Sequence, residues 1–361
     1  MRILTPNDGG RIRLVARGAD RIDVALRADP GLGVRHWFSF VVEDDAPVSR
    51  WLRFVDIERA TYPDAFVDTC ISACFDGEEW ERLPATREGA DVVVRHEPRG
   101  PRTHYAWFVP YSARRRRRRF EVIEARGAAR VVELGKSLQG FPVCVIVAGD
   151  GPAPIWVVAR QHPGETMAEW AAEGFVDRLL DGADEVASAL RRRATVHVVP
   201  CVNVDGAAAG YHRVNARGHD LNRSWIDVEE REIPEVAAVR RALDDTGVRL
   251  FLDVHGDERS RVGFIAGCEG NPGYDDRVSN LERRFEAILV GTNGDMGTER
   301  GYPLDAPGQA DLGMAANFVG EAHACLALTV ELPAMGGFDH DRARGVGYDL
   351  LEPALACLDD A

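Results

Sequence analysis

The sequence predicts an α/β protein in two parts: an N-terminal antiparallel β-sandwich over residues 1–112, then a mixed, mostly parallel α/β/α domain over residues 113–361. Three observations carry that expectation. Up to about Pro110 short segments alternate apolar and polar residues with period two. Beyond Tyr111 apolar runs alternate with helix-forming stretches, the pattern of strands covered on both faces. A chain of 361 residues also suits two domains of about 150 each.

The first part reads RIRLVAR, RIDVALR, HWFSFVVE, WLRFVDI, DVVVRHE and YAWFVPY, separated by the turn formers DGG, DPGLG, EDDAP, DGEE and EGAD. Next, SARRRRRRFEVIEARGA offers Ser112 as an N-cap, then helix formers, and stops at Gly127. Its six arginines, at 114–119, spread around the whole helix circumference. They are therefore read as a solvated and interdomain face and not as a stripe that docks a polyanion. Strand runs follow at VCVIVAG, IWVVARQ, TVHVVPCV, VRLFLDVHG, RVGFIAG and CLALTVELP. Helices are expected from 166 to about 180, from 234 to about 245, through LERRFEAILV and at the C-terminus. The stretch VVPCVNVDGAAAGYHRVNARGHDLNRSW is read as loop without helix.

Composition narrows the class. Apolar residues make up 45% and charged residues 28%, as in ordinary folded chains. No stretch approaches the roughly 20 apolar residues of a membrane span, and MRILTPNDGGRIRL is polar where a signal peptide would be apolar. Seven cysteines, an odd number scattered through apolar runs, read as reduced core thiols. A soluble, cytoplasmic protein is expected. With 44 basic against 58 acidic side chains the net charge is −14, which opposes nucleic-acid and anionic-membrane partners.

Ligands of doubly wound sheets collect at the carboxyl ends of strands. After IWVVARQ come His162, Pro163, Gly164 and Glu165; after VRLFLDV comes His255. CLALTV runs into Glu331. A lone H-x-x-E is weak, since such pairs arise by chance as salt bridges, but these residues all follow strand-like runs. Three nitrogen or oxygen ligands with a further carboxylate as base make the pattern of a catalytic zinc site. Between the ligand groups, Arg213, Arg217, Arg223 and Asn222 suit an anionic substrate end or a developing oxyanion.

The blocks ARQHPGET, NVDG, YHRVNARGHDLNRSW, DVHGD and TVELP, with WFVPYS and VELGKSLQGFPV before them, resemble the signature blocks of zinc carboxypeptidases. They resemble in particular the cytosolic carboxypeptidase branch, whose members place a β-sandwich before the peptidase domain. The resemblance implies one Zn2+ per chain on His162, Glu165 and His255, Glu331 as general base and acid, and Arg213 on the scissile carbonyl. It implies Asn222 and Arg223 as the grip on a substrate's terminal carboxylate, and peptide or protein C-termini as partners. Two departures stand out: Asn203-Val204-Asp205-Gly206 replaces the family's Asn-Pro-Asp-Gly, and the capping tyrosine is either Tyr302 or absent, with Phe318 in its place. Relatives that trim glutamate need a cation in the specificity pocket. A zinc amidohydrolase of the aspartoacylase or desuccinylase type, and a binding module built on an inactive peptidase, are the competing classes.

Overall fold

The computed structural model describes residues 1–67, 69–75, 77 and 79–358. Two five-stranded sheets form the first domain. One orders Arg2–Leu4, Ser39–Glu43, Arg102–Ala106, Cys70–Cys74 and Trp80–Pro84, all antiparallel. The other orders Arg13–Arg17, Arg21–Ala25, Arg50–Phe54, Asp91–His96 and Thr86–Glu88, antiparallel except where Arg21–Ala25 runs parallel to Arg50–Phe54. Their inner faces meet through Phe40 of the first sheet and Phe54 of the second, ring centroids 6.5 Å apart. The alternation seen in the sequence is this inward-facing set.

The second domain carries a seven-stranded sheet ordered Arg130–Lys136, Pro142–Ala148, Ala194–Val199, Ala153–Ala159, Leu250–Asp257, Leu326–Pro333 and Phe264–Ala266. The four strands from Ala194–Val199 to Leu326–Pro333 are parallel, and both margins are antiparallel. Alternate residues of the central strands enter two cores: Trp156, Val158 and Phe251 on one face, Ile155, Val157, Leu252 and Val254 on the other. The second core runs on through Trp107, Phe108 and Tyr111 into the sandwich, so the two domains share apolar packing. From Ala153–Ala159 the chain crosses to one side and from Leu250–Asp257 to the other, which makes these neighbours the switch point of the sheet.

Helix Ala113–Arg126 begins at Ser112, whose Oγ accepts from Arg115 N, and ends at Gly127. Three of its six arginines turn toward helix Thr166–Leu179. Arg115 is bidentate to Glu173 at 3.0 and 2.6 Å, Arg116 pairs with Glu169, and Arg119 pairs with Asp177. Those acids are spaced i, i+4, i+8 along one face. The interdomain reading of the run is thus corrected for these three, which pair within the second domain, with Glu169 and Glu173 buried and Asp177 half-buried.

The expectation of loop throughout the stretch after TVHVV is corrected. Val204–Ala209 is a helix, because Asn203 caps it through Gly206 N at 3.0 Å and three alanines follow. Helices Glu185–Arg193 and Ala315–His323 were not anticipated. Among the described residues no disulfide joins the seven cysteines, and no helix is long and apolar enough to cross a membrane.

Candidate metal centre and active site

Strand Ala153–Ala159 delivers the chain to Arg160, a buried residue with φ of 57°, a left-handed conformation costly for any side chain bearing a Cβ. Its guanidinium stabilises the turn by donating to Pro163 O and Tyr111 O, both at 2.8 Å. Gly164 follows where His212 passes so closely that any side chain would collide with it. Glu165 then stands at the start of helix Thr166–Leu179 with its carboxylate turned away from capping.

Glu165 Oε1 lies 2.6 Å from His162 Nδ1 and Oε2 lies 2.8 Å from His255 Nδ1. Ligand atoms of the three residues all fall within 4.8 Å of one another, and all three are buried. The outer nitrogens are held from behind: His162 Nε2 is 3.0 Å from Asp220 Oδ1, and His255 Nε2 is 2.9 Å from Asp253 Oδ2. Such carboxylate partners fix the tautomer and orientation of metal-binding histidines. Burial, and for His162 also Arg213, disfavours charge on the imidazoles, yet Glu165 with Asp220 outweighs this at His162 and Asp253 with Glu165 at His255, raising both pKa values. Burial likewise opposes ionisation of Glu165, but the two histidines hold its pKa well below the usual carboxylate range. A cation can replace the two protons that face Glu165. This donor set of two imidazole nitrogens and one carboxylate fits zinc with a position left for substrate.

Glu331 is the register partner of His255 on the adjacent parallel strand, so both side chains stand on the same face of the sheet. Both residues lie within their strands and not beyond them. Burial pushes the Glu331 carboxyl up to about 8 against the pull of His255. Tyr302 donates to Glu331 Oε1 at 2.8 Å. Phe318 instead packs on Trp225 and under Arg240, outside the cavity lining, so that of the two candidates Tyr302 is the one at the site.

Arg213, Asn222 and Arg223 line the same cavity of about 340 Å³ with the three candidate ligands, Tyr302 and Glu331. Arg213 donates from Nε to Asp220 Oδ2 at 2.7 Å, so Asp220 ties this guanidinium to His162. Asn222 is constrained: Oδ1 accepts from Ala315 N at 2.8 Å and Nδ2 lies 3.1 Å from His255 Nε2. Arg223 is freer, with a side chain 44% exposed and Asp311 3.9 Å away. Arg217 stays outside, paired with Glu232 at 3.2 Å. Asp220 and Asp253 escaped the sequence reading, although D-L-N and D-V-H place each two residues before Asn222 and His255. Tyr62 escaped it too, a half-buried wall residue supplied by the first domain.

Residues 123–344 match the zinc carboxypeptidase family model, and residues 3–108 match the cytosolic carboxypeptidase N-terminal domain. A metallo-carboxypeptidase from Pseudomonas aeruginosa, solved in complex with (2-guanidinoethylmercapto)succinic acid, is 37% identical with a TM-score of 0.93, covering 100% of each chain. The metallo-carboxypeptidase of Burkholderia cenocepacia is 31% identical with a TM-score of 0.95, again over 100% of both. Mouse cytosolic carboxypeptidase 3 is 32% identical over 141 residues, 38% of this chain but only 14% of that protein. A donor set that fits zinc, a mixed sheet with the candidate site at its switch point, and full-length likeness to metallo-carboxypeptidases agree: the chain belongs to the zinc carboxypeptidase family and is a carboxypeptidase hydrolase.

Proposed function

We propose that one zinc per chain is held by His162, Glu165 and His255, and that the enzyme removes C-terminal amino acids from peptides or proteins. The observation that carries this reading is the convergence of three buried donors beside Glu331 and Arg213 in one cavity. Zinc in such a site lowers the pKa of water toward 7 and polarises a carbonyl. Glu331 takes the proton of the attacking water and returns it to the leaving amine. Arg213, held by Asp220, donates to the oxygen that gains charge, a contact whose removal typically costs about a hundred- to a thousandfold in rate. Arg223 and the amide of Asn222 grip the terminal carboxylate, which makes the enzyme an exopeptidase. Tyr302 caps the site over Glu331.

Besides Arg213 and Arg223 the cavity is lined by Arg259 and by Arg300, which pairs with Glu269 and Glu282. A terminal glutamate would have to share Arg300 with these acids. The succinic acid portion of the ligand bound to the Pseudomonas protein supports a carboxylate-binding cavity in this fold. Thiols without disulfides support a cytoplasmic setting, and the net charge of −14 supports peptide rather than nucleic-acid partners. Metal analysis of the wild type and of His255→Ala, with hydrolysis of peptides varied at the C-terminal residue, tests the reading. Equal zinc in both proteins would overturn the ligand set. Cleavage of N-acyl amino acids in place of peptides would favour the amidohydrolase class.

A further inference from the structure

The turn that follows strand Arg21–Ala25 brings Asp29 out of the sandwich and into the peptidase domain. Asp29 closes its own turn by donating from N to Val34 O at 2.7 Å, and the residue is 4% exposed. Both carboxylate oxygens accept from His212 N, at 3.0 and 2.9 Å, and Oδ2 also accepts from Arg213 N at 2.7 Å. These are consecutive backbone donors in a buried, non-helical segment that would otherwise lack acceptors. Close approach makes the clamp possible: a Cβ on Gly31 would stand 2.8 Å from Gly218 O, so the two loops touch backbone to backbone.

The clamped pair acts in two directions. His212 O accepts from Gly164 N at 2.8 Å, inside the loop that carries His162 and Glu165. Its ring meets Glu258 at 2.6 Å and packs 4.8 Å from His36 of the sandwich. Arg213 is then gripped at both ends, its backbone by Asp29 and its guanidinium by Asp220.

We propose that Asp29 of the first domain is a positioning residue of the hydrolytic reaction, holding the backbone of His212 and Arg213 so that the Arg213 guanidinium meets the developing oxyanion. This rests on the role proposed above for Arg213. A charge-stabilising donor acts in the transition state, so its displacement lowers kcat and leaves KM nearly unchanged. A shift near 1 Å can cost about a hundredfold. Asn at position 29 keeps the shape but turns an NH2 toward one of the two backbone donors.

The test is a double-mutant cycle on the zinc-loaded enzyme with one peptide substrate. Asp29→Asn should lower kcat about ten- to a hundredfold, with KM within about threefold and zinc content unchanged. Introduced into Arg213→Ala, the same change should lower kcat less than about twofold, because the group it positions is gone. An equal fold-loss in both backgrounds would overturn the proposal in favour of a general packing role. So would wild-type kcat in Asp29→Asn. Asp29→Ala should lower kcat at least as far, and should it fail to fold, Asp29→Asn still decides, since it differs by one atom type. Wild-type kcat in Arg213→Ala alone would show instead that the role assigned to Arg213 is wrong, and the positioning role would fall with it.

Discussion

Replacing Asp220 by alanine removes three contacts from one buried carboxylate: His162 Nε2 at 3.0 Å, Asn222 N at 3.0 Å and Arg213 Nε at 2.7 Å. The consequences separate by atom. Oδ1 faces the histidine, and loss of such a carboxylate partner typically weakens metal binding about ten- to a hundredfold, or roughly 1.4 to 2.7 kcal/mol. Oδ2 faces the guanidinium, whose mispositioning should cost kcat on the order of tenfold or more, part of the hundredfold or greater loss expected when such a donor is deleted. Asparagine distinguishes the two effects. Oδ1 already serves two donors, so the amide oxygen of Asp220→Asn should stay on that side and leave its NH2 against the Arg213 Nε–H. The Asn variant should therefore lose kcat while keeping zinc affinity within about tenfold of wild type, and the Ala variant should lose both. Competition with a chromophoric chelator at fixed pH reads the affinity, and turnover at saturating zinc reads kcat. Wild-type zinc affinity in Asp220→Ala would refute the claim that Asp220 orients His162. Wild-type kcat in Asp220→Asn would refute the anchoring of Arg213.

Glu331→Gln should retain zinc and fold but lose hydrolysis, because an amide cannot accept the water's proton; turnover near the wild-type rate would move the base elsewhere. Glu321, the next acid along the sequence to consider, instead accepts from Gly273 N at 2.9 Å and stands outside the cavity lining. Amidating the C-terminus of a substrate peptide should weaken apparent affinity by about 1.5 to 3 kcal/mol, roughly tenfold or above, and Arg223→Ala should reproduce that loss on the free acid while being nearly indifferent to amidation. Equal cleavage of both peptides by the wild type would argue against an exopeptidase. Glu235, fully buried with no well-formed hydrogen bond to either oxygen, is pushed by burial up to about 7. Its folded value lies above the unfolded one, so the stability tied to this group is fully present below about pH 4.5, and on the order of 3 kcal/mol is lost as pH rises through 7. Glu235→Gln should then melt higher than wild type at pH 8 and equally at pH 5, and a difference independent of pH would count against this.

Much of the fold was legible because its signals are local. Period-two alternation marked the sandwich strands, continuous apolar runs marked the central strands of the second sheet, and Ser112 and Gly127 bounded the arginine-rich helix. The helix Val204–Ala209 left no such signal, because six residues after an Asn cap are too few to show a helical period. The sheet margins proved antiparallel, which apolar composition alone does not reveal.

By itself the sequence determined the candidate donors and their local frame: His162 and Glu165 three residues apart on one loop, with His255 and Glu331 near strand ends. Chain-local geometry suffices for that. Only the tertiary structure decided which distant groups complete the site, since hydrogen bonds spanning 58 residues from His162 to Asp220, or 183 from Asp29 to His212, leave no periodic trace. It also decided that Tyr302 and not Phe318 reaches Glu331, and that Arg115, Arg116 and Arg119 are the members of their run that pair with the acids of helix Thr166–Leu179. The physical reason is common to all three. A polar side chain's role depends on which partner shares its burial, and burial is set by how the layers pack rather than by the order of residues along the chain.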